Sequence, residues 1–189
     1  MGKIKLCIVA VILSSCCLAQ SDIVRTGLLR AQLTYSPGII LESNTSHYYL
    51  HGNLEGYVSN KISIAGEGYY YLTNGGINTG NLSYNHSGFF GASYHFGKKM
   101  NDFYIGLQPG ISVSKFSNSS SGIVIPQQGI NPVLSTTIGY NLYFFKYFHF
   151  FVQGRFIVGE HNYYPTHSLN EFRFSAGLGF NVNTLKSSL

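Results

Sequence analysis

Apolar and polar residues alternate along most of the chain after Gln20, and no stretch shows a helical period. The last alternating segment is the clearest, because its apolar residues all fall on one face of a strand. That face carries Phe172, Phe174, Ala176, Leu178, Phe180 and Val182. The opposite face carries Glu171, Arg173, Ser175, Gly177, Gly179 and Asn181. This period of two residues predicts β-strands.

Eight such segments predict an all-β chain that closes into an eight-stranded antiparallel transmembrane β-barrel. The predicted strands are residues 28–41, 47–58, 62–72, 87–96, 103–116, 132–144, 148–160 and 171–182. Pro37 and Pro109 lie inside predicted strands, where a proline removes one ladder hydrogen bond. We therefore expect each proline to mark a bulge or a strand end.

The connections between the predicted strands differ in length. Residues 59–61, 97–102 and 145–147 form short connections, 42–46 a modest one, and 73–86, 117–131 and 161–170 longer ones. Outer-membrane barrels have short periplasmic turns and longer external loops. With an even strand count, this predicts that both termini are periplasmic and that loops 73–86 and 117–131 are external, where they could bind an extracellular ligand.

Aromatic residues cluster near the short connections, as in the girdle that such barrels place at a membrane interface. The predicted girdle consists of Tyr57, Tyr94, Phe96, Phe103, Phe144, Phe145, Tyr147 and Phe148.

Composition favours a membrane barrel over a soluble one. Charged residues make up 10% of the 189 residues, whereas a water-exposed surface carries about 25–35%. A soluble calycin-like barrel would place Lys and Glu on its polar face, but here that face is mostly Gly, Ser, Thr, Asn and Gln. The formal net charge is +5, but no basic run follows the N-terminal segment, so nothing supports nucleic-acid binding.

The N-terminus predicts a signal peptide over residues 1–19, followed by the barrel over 20–189. Lys3 and Lys5 precede a short apolar run, and small residues lead to Ala19. An alternative is lipoprotein processing, since the residues before Cys16 resemble a lipobox. All three cysteines lie in this segment, so cleavage after Ala19 leaves no thiol in the mature chain.

Five charged residues fall on the predicted inner face: Arg30, Glu55, Glu67, Arg155 and Arg173. They could line a narrow channel for small or apolar solutes, or they could form a paired polar plug. We favour the plug, because a small barrel is usually filled by side chains and buried charges persist when paired. Arg30 is expected to pair with Glu55, and Glu67 with Arg155 across the lumen.

A lipid-modifying enzyme is a further alternative, since His, Ser and an acid could be brought together at the barrel surface. The candidates are His86-Ser87 and His167-Ser168, with Glu160 or Glu171 as the acid. No spacing of histidines indicates a metal site, and we expect neither a metal nor a cofactor.

The chain resembles the small outer-membrane barrels typified by OmpA and OmpX, and more specifically a branch found in Bacteroidetes. The resemblance rests on Leu-Leu-Arg-Ala-Gln at 28–32, Tyr-Leu-His-Gly-Asn-Leu-Glu at 49–55 and Gly-Glu-Gly-Tyr-Tyr at 66–70. It implies the fold, a location in outer-membrane lipid and an assembly route, but no specific activity, because fold alone does not fix function. Apart from the resemblance, we expect a monomer with a structural or surface-interaction role. The last strand also resembles the signal read by the barrel-assembly machinery, at Ser175, Gly177, Phe180 and Val182. The chain continues to Leu189, whereas that signal usually ends on its aromatic residue.

Overall fold

The computed structural model describes residues 25–75, 82–116, 127–162 and 167–185. The predicted signal peptide and its cleavage site lie outside these residues. Within the described ranges, no helix is both long enough and apolar enough to cross a membrane.

The strands are β1 (Leu28–Ile40), β2 (Thr45–Tyr57), β3 (Ile62–Asn74), β4 (Leu82–His95), β5 (Asn101–Phe116), β6 (Gln127–Phe145), β7 (Phe148–His161), β8 (His167–Ser168) and β9 (Glu171–Asn183). From β1 to β7 each strand pairs with the next, β7 pairs with β9, and β9 pairs with β1. The two-residue β8 pairs only with the end of β7. The predicted closed, eight-stranded antiparallel barrel is therefore confirmed.

The barrel is apolar outside and polar inside. Leu33, Phe90 and Ile138 are each more than 60% exposed on the outer wall. On the inner wall, Gln32, Ser36 and Asn53 are buried. An apolar band facing outward and a polar interior are the pattern of a barrel surrounded by lipid.

The two ends of the barrel are built differently. Residues 58–61, 96–100 and 146–147 connect strands at one end, which we call the turn end. Both ends of the described chain lie there too, since Thr184 N donates a hydrogen bond of 2.9 Å to Gly27 O. The opposite end, where β1 leads into β2 and β3 into β4, is the loop end.

Two strands begin five residues earlier than the sequence predicts. β4 begins at Leu82 rather than at residue 87, and β6 at Gln127 rather than at residue 132. Both added segments pair with the end of β5, where Phe116 is opposite Leu82 on one side and Gln127 on the other. A long neighbouring strand thus extends segments whose Asn, Ser and Gly content is typical of loops, and the predicted loops shorten to residues 75–81 and 117–126.

The two prolines lie inside strands, against our expectation of strand ends. Pro37 is opposite Tyr48 on β2, and Pro109 is opposite Leu134 on β6. On its other side, each proline lies where the ladder of paired residues is interrupted. For Pro37 the gap faces β9 and extends from Gln32 to Gly38. For Pro109 the gap faces β4 and extends from Leu107 to Gly110. The register is unchanged across both gaps, so neither proline introduces a bulge there.

Side-chain hydroxyls bridge the gap between β1 and β9. Thr34 Oγ1 donates to Ala176 O at 2.8 Å, and Ser36 Oγ donates to Phe174 O at 2.7 Å. These carbonyls would otherwise lack a strand partner, and an unsatisfied buried backbone group is costly. Two side-chain hydrogen bonds therefore join β1 to β9, the two strands that close the barrel, where their backbone ladder is interrupted.

Candidate functional site

The candidate site is the barrel interior, and all five charged residues predicted for it point inward. The structure gathers them into three groups along the barrel axis. Arg30 and Glu55 belong to a turn-end cluster, Glu67 and Arg155 to a central cluster, and Arg173 to a loop-end cluster. The arginines are 0–1% exposed and the two glutamates 2% and 7%.

The turn-end cluster is organised by Arg30, Glu55, His95 and Asp102. Arg30 and Glu55 face each other across β1 and β2, and their side chains are in direct contact. His95 Nδ1 lies 3.0 Å from Asp102 Oδ2, and Nε2 lies 3.2 Å from Glu55 Oε1. One histidine therefore bridges the two carboxylates.

Tyr57 belongs to this cluster and not to the outer aromatic girdle, which corrects the prediction for that residue. Its hydroxyl donates to Asp102 Oδ2 at 2.8 Å, and its side chain is buried. Tyr57 has the same strand parity as Glu55, so the alternation itself places it inside. The other predicted girdle residues are exposed or partly exposed on the outer wall.

Arg25 lies at the turn end of the barrel and is buried. Its guanidinium donates to Gly97 O at 3.0 Å and to Asn101 O at 3.2 Å. Nη1 also lies 3.6 Å from Asp102 Oδ1. Because Arg25 precedes β1, these contacts attach the segment that leads into β1 to the β4–β5 connection and to the start of β5.

The central cluster surrounds the carboxylate of Glu67. Arg155 Nη2 lies 2.5 Å from Oε1, which also accepts a hydrogen bond of 3.1 Å from Gln108. Oε2 lies 2.9 Å from His51 Nε2 and accepts from Gln153 Nε2 at 2.9 Å. A buried carboxylate with this many partners is stabilised in its ionised form.

Arg155 is equally well satisfied. Its guanidinium donates to Gln108 Oε1 at 2.7 Å and to Ser135 Oγ at 2.5 Å. The ring of Phe89 lies 4.4 Å from Cζ, a cation–π distance. These contacts connect β7 with β6, β5 and β4 inside the barrel.

The loop-end cluster pairs Arg173 with Glu171 at 2.7 Å. Arg173 also donates to Ser87 Oγ at 2.6 Å, and its guanidinium lies 3.9 Å from the ring centre of Tyr49. Arg173 is directly opposite Arg155 in the β7–β9 ladder. Like charges in that position repel, and here each arginine has its own carboxylate.

The enzyme candidates predicted from the sequence are not brought together. Adjacent residues of a strand face opposite ways, so His86 lies on the outer wall and Ser87 points inward to Arg173. Glu171 likewise faces inward, and Glu160 is exposed. His167 stacks on Phe116, and Ser168 accepts a bond from its neighbour Asn170.

A Ser–His–Asp chain that the sequence did not predict does occur at the turn end. Ser63 Oγ lies 2.8 Å from His95 Nε2, which is linked through Nδ1 to Asp102. Ser63 is fully buried, and the same Nε2 faces Glu55. These contacts link β3, β4 and β5 inside the barrel. In the described part of the chain, no three His, Cys, Asp or Glu residues are placed to hold a metal ion.

Comparison with known proteins agrees with this geometry. No family model and no curated protein matches the chain in sequence. Among solved structures, Neisserial surface protein A is 11% identical and matches 82% of this chain and 96% of its own with a TM-score of 0.61. The chain is a transmembrane β-barrel.

Two further solved barrels are similar. The N-terminal barrel domain of OprF from Pseudomonas aeruginosa is 14% identical and aligns over 86% of this chain and 100% of its own, with a TM-score of 0.56. Ail, the attachment invasion locus protein of Yersinia pestis, is 11% identical and aligns over 83% and 99%, with a TM-score of 0.50. At these identities the likeness concerns the fold.

Proposed function

We propose that the protein is a monomeric, integral outer-membrane barrel with a structural or surface-interaction role and a lumen closed by its own polar side chains. The observation that carries the proposal is the interior itself. Every charged residue of the three clusters is buried and contacts an oppositely charged partner. An eight-stranded barrel leaves just enough room for such side chains.

The turn end is proposed to face the periplasm. Short connections and both ends of the described chain lie at this end, as expected for the periplasmic side of such barrels. The longer connections, 75–81 and 117–126, then face outward and are the proposed contact sites for an extracellular ligand. Two similar barrels bear names that refer to a cell surface or to attachment, which agrees with this role.

The last strand is proposed to be read by the barrel-assembly machinery during insertion. Ser175 faces inward, with Oγ donating to Ser36 Oγ at 2.9 Å. Phe180 and Val182 face outward and are 47% and 39% exposed. Gly177 lies between Ser175 and Phe180 along the strand, on the inner face, and is half-buried. Phe180 and Val182 thus form an apolar surface that the membrane-embedded assembly machinery would recognise.

Fractionation of the producing cell tests the location. The full chain should sediment with outer membranes, resist extraction by alkaline carbonate, and migrate faster on a gel before boiling than after it. Recovery in the soluble fraction with no shift on boiling would contradict the proposal. The OmpA-like and Bacteroidetes-type resemblance stays a prediction.

A further inference from the structure

The outer wall carries a groove where three glycines face lipid side by side. Gly52 on β2 is opposite Gly68 on β3, and Gly68 is opposite Gly88 on β4. A Cβ placed on Gly68 would meet no atom within 4 Å, and one on Gly52 or Gly88 would meet its first neighbour at 3.9 Å. The missing side chains leave a depression of about 590 Å³.

The walls of this groove are apolar. Leu33 and Leu50 flank it on one side and Ile111 and Val113 on the other, with Tyr70 towards the loop end. Leu33 and Ile111 are 68% and 56% exposed, so they stand out from the wall and give the groove its depth. A volume of this size falls in the range of small-molecule sites, about 300–1,000 Å³.

The loop end of the groove is polar, because His86 lines it there. The ring of His86 is stacked against Tyr70 at 4.5 Å and Tyr84 at 5.0 Å. Tyr71 N donates to His86 Nδ1 at 3.1 Å, which replaces a strand bond, since the β3–β4 ladder ends at Tyr69. Nδ1 is therefore an acceptor, and the neutral ring carries its proton on Nε2. Nε2 has no hydrogen-bond partner among the described residues.

A cation lies two residues beyond the groove lining along β5. Lys115 follows Ile111 and Val113 along the same face of β5, and it is directly opposite Tyr84 in the β4–β5 ladder. Within the described ranges no carboxylate contacts Lys115. The groove thus has an apolar floor and an N–H donor at its loop end, and the strand register places a lysine just beyond that end.

We propose that this groove binds one phosphorylated membrane lipid, with an acyl chain over the three glycines and the phosphate beside Lys115 and His86. Charge complementarity selects this occupant, because an anionic headgroup satisfies the ammonium group and the Nε2–H donor while its chain fills the apolar floor. A second protein copy would need a far larger matching surface than this narrow groove offers. This lipid site rests on the proposed function, in which the barrel lies in a membrane.

Native mass spectrometry of the folded barrel in nonionic detergent tests the proposal, with dimyristoyl phosphatidic acid as the probe. The wild type should retain one phosphatidic acid per barrel. Gly68→Leu places a side chain in the groove, where its Cβ meets no atom within 4 Å, and should weaken binding about tenfold. Lys115→Gln should weaken binding of phosphatidic acid but leave dimyristoylglycerol, which lacks the phosphate, unchanged.

Ala176→Leu adds similar bulk to the lipid-facing side of β9, and Lys98→Gln removes a cation at the turn end, so both controls should bind as the wild type does. Equal binding by wild type and Gly68→Leu would overturn the proposal, as would equal loss in the control variants. Competition by inorganic phosphate alone, or a dimer that Gly68→Leu dissociates, would also overturn it. The gel shift on boiling, measured on every variant, distinguishes a failed lipid site from a failure to form the membrane barrel.

Discussion

Arg155 and Glu67 lie on opposite walls of the barrel, yet their side chains meet in the lumen with Nη2 and Oε1 2.5 Å apart. β3 and β7 are separated by three strands in either direction around the closed sheet. A direct ion pair across that distance means that side chains from opposite walls meet at the centre of the barrel. Under the proposed function, this pair links the stability of the barrel to the closure of its lumen.

Breaking this pair should destabilise the barrel. Glu67→Gln or Arg155→Met alone leaves an uncompensated buried charge, which costs about 3–5 kcal/mol. The double variant should cost less than the sum of the single variants, because each removes the same interaction. Urea unfolding in lipid vesicles measures the free energies.

The matched control combines Arg155→Met with Lys98→Gln, an exposed site in the turn-end connection. That combination should be additive within about 0.5 kcal/mol. Additivity for Glu67→Gln with Arg155→Met as well would rule out the cross-lumen pair. Unchanged stability with raised ion conductance would instead indicate that the charges gate a path.

The face assignment of β9 can be tested with a charge. Leu178 is 54% exposed near the middle of the strand, so Leu178→Arg places a cation in hydrocarbon. The expected cost is about 2–4 kcal/mol at the midplane and about 0–1 kcal/mol near an interface. Leu41→Arg, just beyond β1 at the loop end, is the matched control. Equal folding of both variants into vesicles would show that Leu178 does not face lipid.

These residues also show what the sequence could predict. A lipid-facing wall and a polar lumen impose a period of two, so the eight strands and the inward set from Arg30 to Arg173 follow from alternation. Alternation predicts on which wall face a side chain lies, but not its position along the barrel axis. It therefore could not identify His95, Asp102 and Gln108 as the partners around Arg30 and Glu67. Alternation also could not predict the early start of β4 and β6, because those added residues are strands only through their pairing with β5.

Orientation in the membrane can be tested by labelling single cysteines in intact cells. Ser119→Cys lies in the connection between β5 and β6, and Lys98→Cys lies in a turn-end connection. A membrane-impermeant maleimide should label Cys at 119 in intact cells and at 98 only after the outer membrane is opened. The reverse result would place the turn end outside.

Processing of the N-terminus determines what remains ahead of β1. The mass of protein extracted from membranes should correspond to a chain that begins at Gln20, since Ala19-Gln20 is the predicted signal-peptidase junction. A chain that begins at Cys16 and carries added acyl groups would instead support the lipoprotein alternative.

Ion current through single barrels tests the closed lumen most directly. Under the proposed function, the three buried clusters and Arg25 at the turn end close the lumen. Protein that shows the folded band on a gel should therefore give no stepwise current in a planar lipid bilayer under an applied voltage. Stable, ohmic current steps from the wild type would contradict the plugged lumen and establish a channel.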